Sequence, residues 1–393
     1  MTTLPSLAAA PWLQAPALRR ILAVIAAWGG EVRVAGGAVR NALMGEAVTE
    51  VDLATTLSPE QVIAACTAAG LGVHPTGIDH GTVTVVADHH PYEVTTLRHD
   101  VETDGRRAVV RFTDDWQADA LRRDFTMNAL YCDAAGKVYD YADGFADIQR
   151  RRVAFVGSPA QRIAEDYLRI LRFFRFHARY GAGAPDAAGL EACVEAAPRL
   201  DGLSAERIRQ EMFKLMAASG AIPTLRLMAG AGILGHLLPY AEDWDVLARL
   251  PPDPVLRLAV LARDPLAMKD RWRLSNLEAR RLEDIVCLTA PRPGLRPHEQ
   301  RVILHQMGPQ AWSDLVRIGW ARSGAAADDP AWQDLLGLPD RWQAPEFPVS
   351  GRDLLALGMA PGPGIGEALR RLEDWWMASD FVPGRQELLD RLK

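Results

Sequence analysis

Near residue 157 the chain changes character, and a fold of one class cannot accommodate both sides of that change. Before it, β-branched runs recur: Val32-Arg-Val-Ala35, Gly81-Thr-Val-Thr-Val-Val86 and Tyr92-Glu-Val-Thr-Thr-Leu97. Runs of this kind bounded by turn residues read as strands. After it they vanish, and Ala/Leu/Arg stretches broken by Pro and Gly take over. That is the composition of helices. The fold class expected is α+β: a small head over residues 1–157, then an extended, all-helical body. Pro251-Pro252, residues 291–297 and residues 345–348 are the expected joints of that body.

Inside the head, Val32–Ala35 is a strand ended by Gly36-Gly37, and Ala38–Met44 gives one or two helical turns stopped by Gly45. Residues 50–55, Glu-Val-Asp-Leu-Ala-Thr, alternate like a half-buried strand. Ser58 caps a helix, with Pro59 in its first position and Gln61 three residues after the cap. The segments 81–86 and 92–97 form a hairpin across Asp88-His-His-Pro91. A further strand pair is expected within 129–141, around Gly136.

A chain of 393 residues exceeds one ordinary domain. No uncharged apolar run reaches the roughly 18 residues of a membrane span. The stretch before Pro16 lacks the basic start of a secretory signal. Cys66, Cys132, Cys193 and Cys287 lie far apart, with no CxxC pair. They suggest neither a thiolate zinc site nor a disulfide framework, so a cytoplasmic, reducing compartment is expected. The formal net charge is −6, but 40 of the 44 basic residues are arginine, and residues 149–180 hold eight Arg against Glu165 and Asp166. That local excess points to an anionic partner, because binding depends on where charge sits.

Four constellations can carry chemistry. In Gly36-Gly37-Ala38-Val39-Arg40, two glycines between strand and helix allow backbone N–H groups to approach a phosphate, with Arg40 in reach of the same anion. A Gly-Gly turn alone is also an ordinary structural device. In Glu50-Val51-Asp52, alternate residues of a strand share a face. Two carboxylates there repel unless solvated, protonated or bridged by a cation, and Mg²⁺ favours one or two carboxylates plus substrate phosphates. Glu93, on a later strand, is a third carboxylate available to that site or to solvent. In Arg122-Arg123-Asp124-Phe125-Thr126-Met127-Asn128, an arginine can grip triphosphate oxygens while Asp124 and Asn128 fix a loop or bind a ribose hydroxyl. Last, in Glu165-Asp166-Tyr-Leu-Arg169, continuing through Arg172, Arg175 and Arg179, the arginines fall on one side of a helix. Ile170, Leu171, Phe173 and Phe174 fall on the other. Like charges so close are costly without an anion. Asp166 and Arg169 offer an acceptor and a donor edge for the Watson–Crick face of a base.

In this order the four patterns resemble the bacterial-type (class II) CCA-adding tRNA nucleotidyltransferases and poly(A) polymerases of the DNA polymerase β superfamily. The likeness extends to Leu43-Met-Gly45, Thr55, Asp104-Gly-Arg106 (like the family's flexible loop), Ser204-Ala-Glu-Arg207-Ile, Arg273-Leu-Ser-Asn276, Gly351-Arg-Asp-Leu354 and Pro361-Gly-Pro-Gly364. It implies a polymerase-β-like nucleotidyltransferase head at 1–157, a neck with a nucleotide-selecting helix at 158–235, and an RNA-binding body and tail at 236–393. Glu50 and Asp52 would be catalytic and hold Mg²⁺. Gly37, Arg40 and Arg123 would bind the triphosphate, with Asp124 and Asn128 beside them. Asp166 and Arg169 would select C or A, supported by Arg172 and Arg175. The partners would be tRNA, CTP and ATP, with no membrane. The tRNA 3′-hydroxyl would attack the α-phosphate and release pyrophosphate.

Two positions depart from the family pattern. Glu50 stands where Asp is usual, which lengthens one arm of an Asp-x-Asp pair, and Asn41 stands where Asp usually follows Arg40. The complete Glu165–Arg169 selector favours CCA addition. A poly(A) polymerase on the same head, a partial CC- or A-adding enzyme, and a non-catalytic RNA-binding module are the alternatives.

Overall fold

A computed structural model describes residues 4–104 and 107–392. The chain forms two compact units, Met1–Leu238 and Pro239–Lys393. The first carries the sheet. Helix α1 (Pro16–Ala27) leads into β1 (Val32–Ala35), and α2 (Gly37–Met44) ends at Gly45, whose φ of 72° is the left-handed cap expected of it. Then come β2 (Asp52–Thr55), α3 (Pro59–Ala68), β3 (Gly72–Gly77), β4 (Thr82–Ala87), β5 (His90–Thr96), β6 (Arg98–Asp104) and β7 (Arg107–Phe112). Helix α4 (Trp116–Leu121), β8 (Leu130–Cys132) and β9 (Val138–Asp140) complete the head.

Seven strands form one sheet in the order β3-β4-β5-β2-β1-β8-β9, and β6 and β7 pair separately. β2 and β5 run parallel; the other neighbours in the seven-stranded sheet are antiparallel. The hairpin across Asp88 and His89, the strand pair around Gly136 and the Ser58 capping box all form as the sequence indicates. Of the Asp104-Gly-Arg106 segment, Gly105 and Arg106 lie outside the described residues.

The alternation expected over 50–55 is corrected by the structure. β2 begins only at Asp52, and Leu53, Ala54 and Thr55 are all buried. A central strand covered on both faces loses its two-residue period. Glu50 and Val51 lie in irregular chain ahead of it, so the shared strand face argued for Glu50 and Asp52 does not exist.

Past Asp140, described residues form no further strand. The first unit continues with α5 (Gly144–Gln149), α6 (Pro159–Glu165), α7 (Leu168–Tyr180), α8 (Ala187–Ala196), α9 (Ala205–Met216) and α10 (Ala221–Gly230). On α7, Ile170, Leu171, Phe173 and Phe174 are fully buried, as their spacing requires. The ring of Phe125 packs 5.0 Å from Phe155 and 4.8 Å from Phe176, and Phe155 stacks on Phe173 at 5.5 Å. Aromatic contacts of this kind exceed their area burial in value. They fasten the arginine-bearing helix to the loop that follows α4.

The second unit is helical. Arg281 donates to Asp314 (2.6 and 2.8 Å) and to Asp253 (2.8 Å), the residue that caps the helix Pro254–Leu261. The long helix Pro297–Ser323 breaks at Gly308 (φ 80°), just before Pro309. Leu304, Trp312, Val316, Trp332 and Leu335 make one core, and Leu354, Leu372, Trp376 and Leu388 belong to another. The joints expected at the three proline-rich stretches fall between helices.

Candidate active site

Register places the first two constellations together. β1 pairs with β2 so that Ala35 faces Asp52. The Gly36-Gly37 turn therefore leaves the sheet beside that carboxylate. Gly36 takes φ 64°, a value that favours glycine. A Cβ there would lie 3.1 Å from the Arg123 Nη1. No side chain caps α2, so its first amides stay open to an anion. β2 and β5 pair in parallel with Leu53 opposite Val94, which sets Glu93 alongside Asp52.

Asp52 reaches solvent through the cleft, yet the walls still desolvate it. That desolvation, then Glu93 and Glu50, pushes its carboxyl above the usual aspartate range, with Arg123 pulling the other way. It accepts no hydrogen bond from the described residues. A carboxylate crowded by two others and without a donor fits a cation. Among the described residues no three His, Cys, Asp or Glu side chains converge into a cage. Asp52, with Glu50 or Glu93 beside it, is the group able to hold the ion.

The third constellation follows α4. Asp124 is buried; its Oδ1 accepts from Phe125 N (2.9 Å) and Asn128 Nδ2 (3.0 Å), and its Oδ2 accepts from Arg172 Nε (2.8 Å). Burial alone would raise this carboxyl, but Arg172, Asn128 and Phe125 N hold it below its ordinary value. Asn128 in turn accepts from Arg40 Nη1 at 2.5 Å. Arg40 also donates to Asn41 Oδ1 (3.1 and 2.9 Å) and the Tyr180 hydroxyl (2.7 Å). Every one of these acceptors is neutral, so the guanidinium keeps its whole charge. Burial lowers its pKa from the arginine value, opposed chiefly by Tyr180 and Asp124.

The arginine stripe on α7 differs from its expected form. Each arginine finds an acid: one just ahead of the stripe for Arg169, and residues distant in sequence for the other three. Arg169 pairs with Glu165, Arg172 with Asp124, Arg175 with Glu211 and Arg179 with Glu46. Each of the like charges is thus matched by an internal counter-ion. Asp166 precedes the helix in extended backbone, where its Oδ1 accepts from Leu168 N (3.1 Å) and its Oδ2 from Arg207 Nη2 (2.7 Å).

All these elements border one cleft of roughly 450 Å³ in the first unit. Its wall includes Gly37, Arg40, Asp52, Arg123, Asp124, Asn128, Asp166, Arg169 and Arg172. Six arginines and three aspartates face it. Glu50 and Arg175 are not on that wall; Arg175 turns to Glu211 Oε2, 2.5 Å away. Arg122, the first residue of the third constellation, and Arg207, to which no site role was given, join the wall. Behind the wall, Asp119 and Tyr131 were also missed. Asp119 stands four residues before Arg123, a spacing that brings opposite charges together on a helix.

Residues 32–154 match the family described as the poly A polymerase head domain. Residues 186–245 match one described as a probable RNA and SrmB-binding site of polymerase A. The chain is 37% identical over 383 residues to the mitochondrial CCA tRNA nucleotidyltransferase 1 of Danio rerio, covering 92% of this chain and 87% of that protein. It is 32% identical over 369 residues to the CCA-adding enzyme of Streptococcus gordonii, covering 90% of each. The crystal structure of the Bacillus stearothermophilus CCA-adding enzyme in complex with CTP aligns with a TM-score of 0.79 at 29% identity, over 97% of this chain and 98% of that one. With such likeness running through the sheet-bearing and the helical parts alike, and the ordered motifs meeting in one cleft, the chain belongs to the CCA tRNA nucleotidyltransferase family.

Proposed function

We propose that the chain adds C and A from CTP and ATP to the 3′ end of tRNA without a nucleic-acid template, in a Mg²⁺-dependent reaction. The observation that carries this reading is the single cleft shared by the Gly36-Gly37 turn, Asp52, Arg123 and the Asp166/Arg169 pair. A nucleoside triphosphate fits it as follows. The open amides at Gly37 and the charges of Arg40 and Arg123 take the phosphates. Asp166 accepts from, and Arg169 donates to, the base edge, so protein groups read the base where a template otherwise would. Arg172 and Arg175 brace that pair through Asp124 and Glu211, and Asn128 ties the Asp124 loop to Arg40.

The tRNA 3′-oxygen forms a bond to the α-phosphorus as the bond to the β,γ-pyrophosphate breaks, and the hydroxyl proton passes to solvent or an adjacent carboxylate. Asp52, with Glu50 or Glu93, would hold Mg²⁺. When bound, that ion neutralises phosphate charge and favours the ionised nucleophile. The helical residues from 236 onward grip tRNA by shape and backbone, as suits A-form RNA. The reading places the enzyme in the cytoplasm, supported by four unpaired cysteines.

The test supplies tRNA ending in the discriminator base, in C or in CC, with labelled CTP and ATP. Two, one and no C additions respectively, each followed by a single A, are expected. Absence of CTP incorporation refutes the reading, and long A tails without CTP use assign poly(A) synthesis instead.

A further inference from the structure

Behind the cleft wall lies a buried hydrogen-bond circuit that the reaction as described leaves unused. Asp119 is 1% exposed and Tyr131 0%. A buried carboxylate is costly unless its oxygens are satisfied, and here they are saturated. Asp119 accepts from Arg122 Nε (2.8 Å) and Nη2 (2.6 Å), Arg123 Nη2 (3.1 Å), the Tyr131 hydroxyl (2.7 Å) and Arg98 N (3.3 Å). The Tyr131 hydroxyl in turn accepts from Arg123 Nε at 3.0 Å. Arg123 is therefore gripped twice on one edge, directly by Asp119 and through Tyr131.

The opposite edge is left over. Its Nη1 has only a long contact to Asn128 O (3.4 Å) and lies against Gly36, where a side chain would crowd it. Tyr131 sits on β8, paired to Ala35 of β1, with Trp116 edge-on to its ring at 5.1 Å. The clamp is thus built into the same strands that present the Gly36-Gly37 turn.

We propose that Asp119 and Tyr131 are positioning residues that aim the free edge of Arg123 at the triphosphate of an incoming nucleotide. Neither touches the cleft; both act through Arg123. The proposal rests on the nucleotidyltransferase reading. Its chemistry is that of a guanidinium fork, whose donors work in a fixed plane and lose contact when that plane tilts. Weakening one guanidinium–phosphate hydrogen bond without removing it corresponds to roughly a five- to tenfold change in affinity.

The test is a cycle of Tyr131→Phe and Arg123→Ala, singly and together, in the full chain. Y131F keeps the ring and removes the hydroxyl. It is expected to raise KM for CTP and ATP about five- to tenfold, with kcat within about threefold and KM for tRNA unchanged. In the R123A background the same change is expected to have no further effect. Asp119→Asn is measured in the same cycle and is expected to behave likewise. An unchanged nucleotide KM in Y131F, or an equal effect with and without Arg123, overturns the proposal. Loss of folding in both Y131F and D119N also overturns it, since that assigns the circuit to the fold alone. Calorimetric binding of ATP to wild type, Y131F, R123A and the Y131F/R123A double variant separates the two readings. Wild-type enzyme that binds ATP but extends no tRNA refutes the proposed function and leaves the clamp to be judged by the binding cycle.

Discussion

Replacing Asp124 by Asn removes the one carboxylate paired with Arg172 while keeping size and an amide oxygen in place. Two unit charges about 4 Å apart interact by roughly 4 kcal/mol at an effective dielectric constant near 20. The Arg172 side chain is 32% exposed and Asp124 10%, so solvent takes part of that; the Asn oxygen can turn to Arg172 only by setting its NH2 against the Phe125 N and Asn128 Nδ2 donors. A cost of about 2 kcal/mol remains, below the ~3–5 kcal/mol seen when a fully buried pair loses a partner. Eleven tryptophans are spread over both units, so total fluorescence is a poor probe. Native-state hydrogen exchange at α7 amides is the local one. Exchange there should quicken about 30-fold in D124N, while amides around Trp312 keep their rates. Removing the stranded charge as well, in D124N/R172M, should restore at least half of the loss. The sign with pH is fixed: Asp124 lies below its ordinary value in the folded chain, so its contribution is present above about pH 4 and fades as pH falls through the folded value. The stability gap between wild type and D124N should therefore close in acid. A change at α7 under about threefold, or a double variant no more protected than D124N, refutes the reasoning.

Two further outcomes follow from the carboxylates at the start of the central strand β2. Asp52→Asn relieves crowding by Glu93 and Glu50, so in chelator the first thermal transition should rise by about 1–3 °C while nucleotide incorporation falls at least 10³-fold; a lower transition refutes the crowding argument. Glu50→Asp shortens the arm to the usual Asp-x-Asp form, so half-maximal incorporation should need less Mg²⁺; an unchanged metal titration shows that Glu50 holds no ion.

The elements that sequence reveals best are those set by neighbours in the chain. The Ser58 capping box, the Gly45 stop and the buried face of α7 all rest on contacts within four residues or so, and each forms. The start of β2 was misjudged because a strand covered on both sides has no period to read. Three partners of the arginine stripe were invisible for another reason: Arg172 meets Asp124 across 48 positions, Arg175 meets Glu211 across 36 and Arg179 meets Glu46 across 133. Spacing cannot signal such pairs. Asp119, by contrast, sits at helical distance from Arg123, so the pairing was legible from spacing, while its burial was not.

The internal acids that accompany the arginines of the cleft also govern how dissolved salt acts on substrate capture. A counter-ion atmosphere gathers only around charge left uncompensated, and here Glu165, Asp124, Asp166 and Asp119 have already cancelled most of it. Nucleotide affinity will thus weaken only gently as ionic strength climbs, far less than a tally of six guanidinium groups implies. Arg40, held solely by neutral oxygens, is where most of that sensitivity resides.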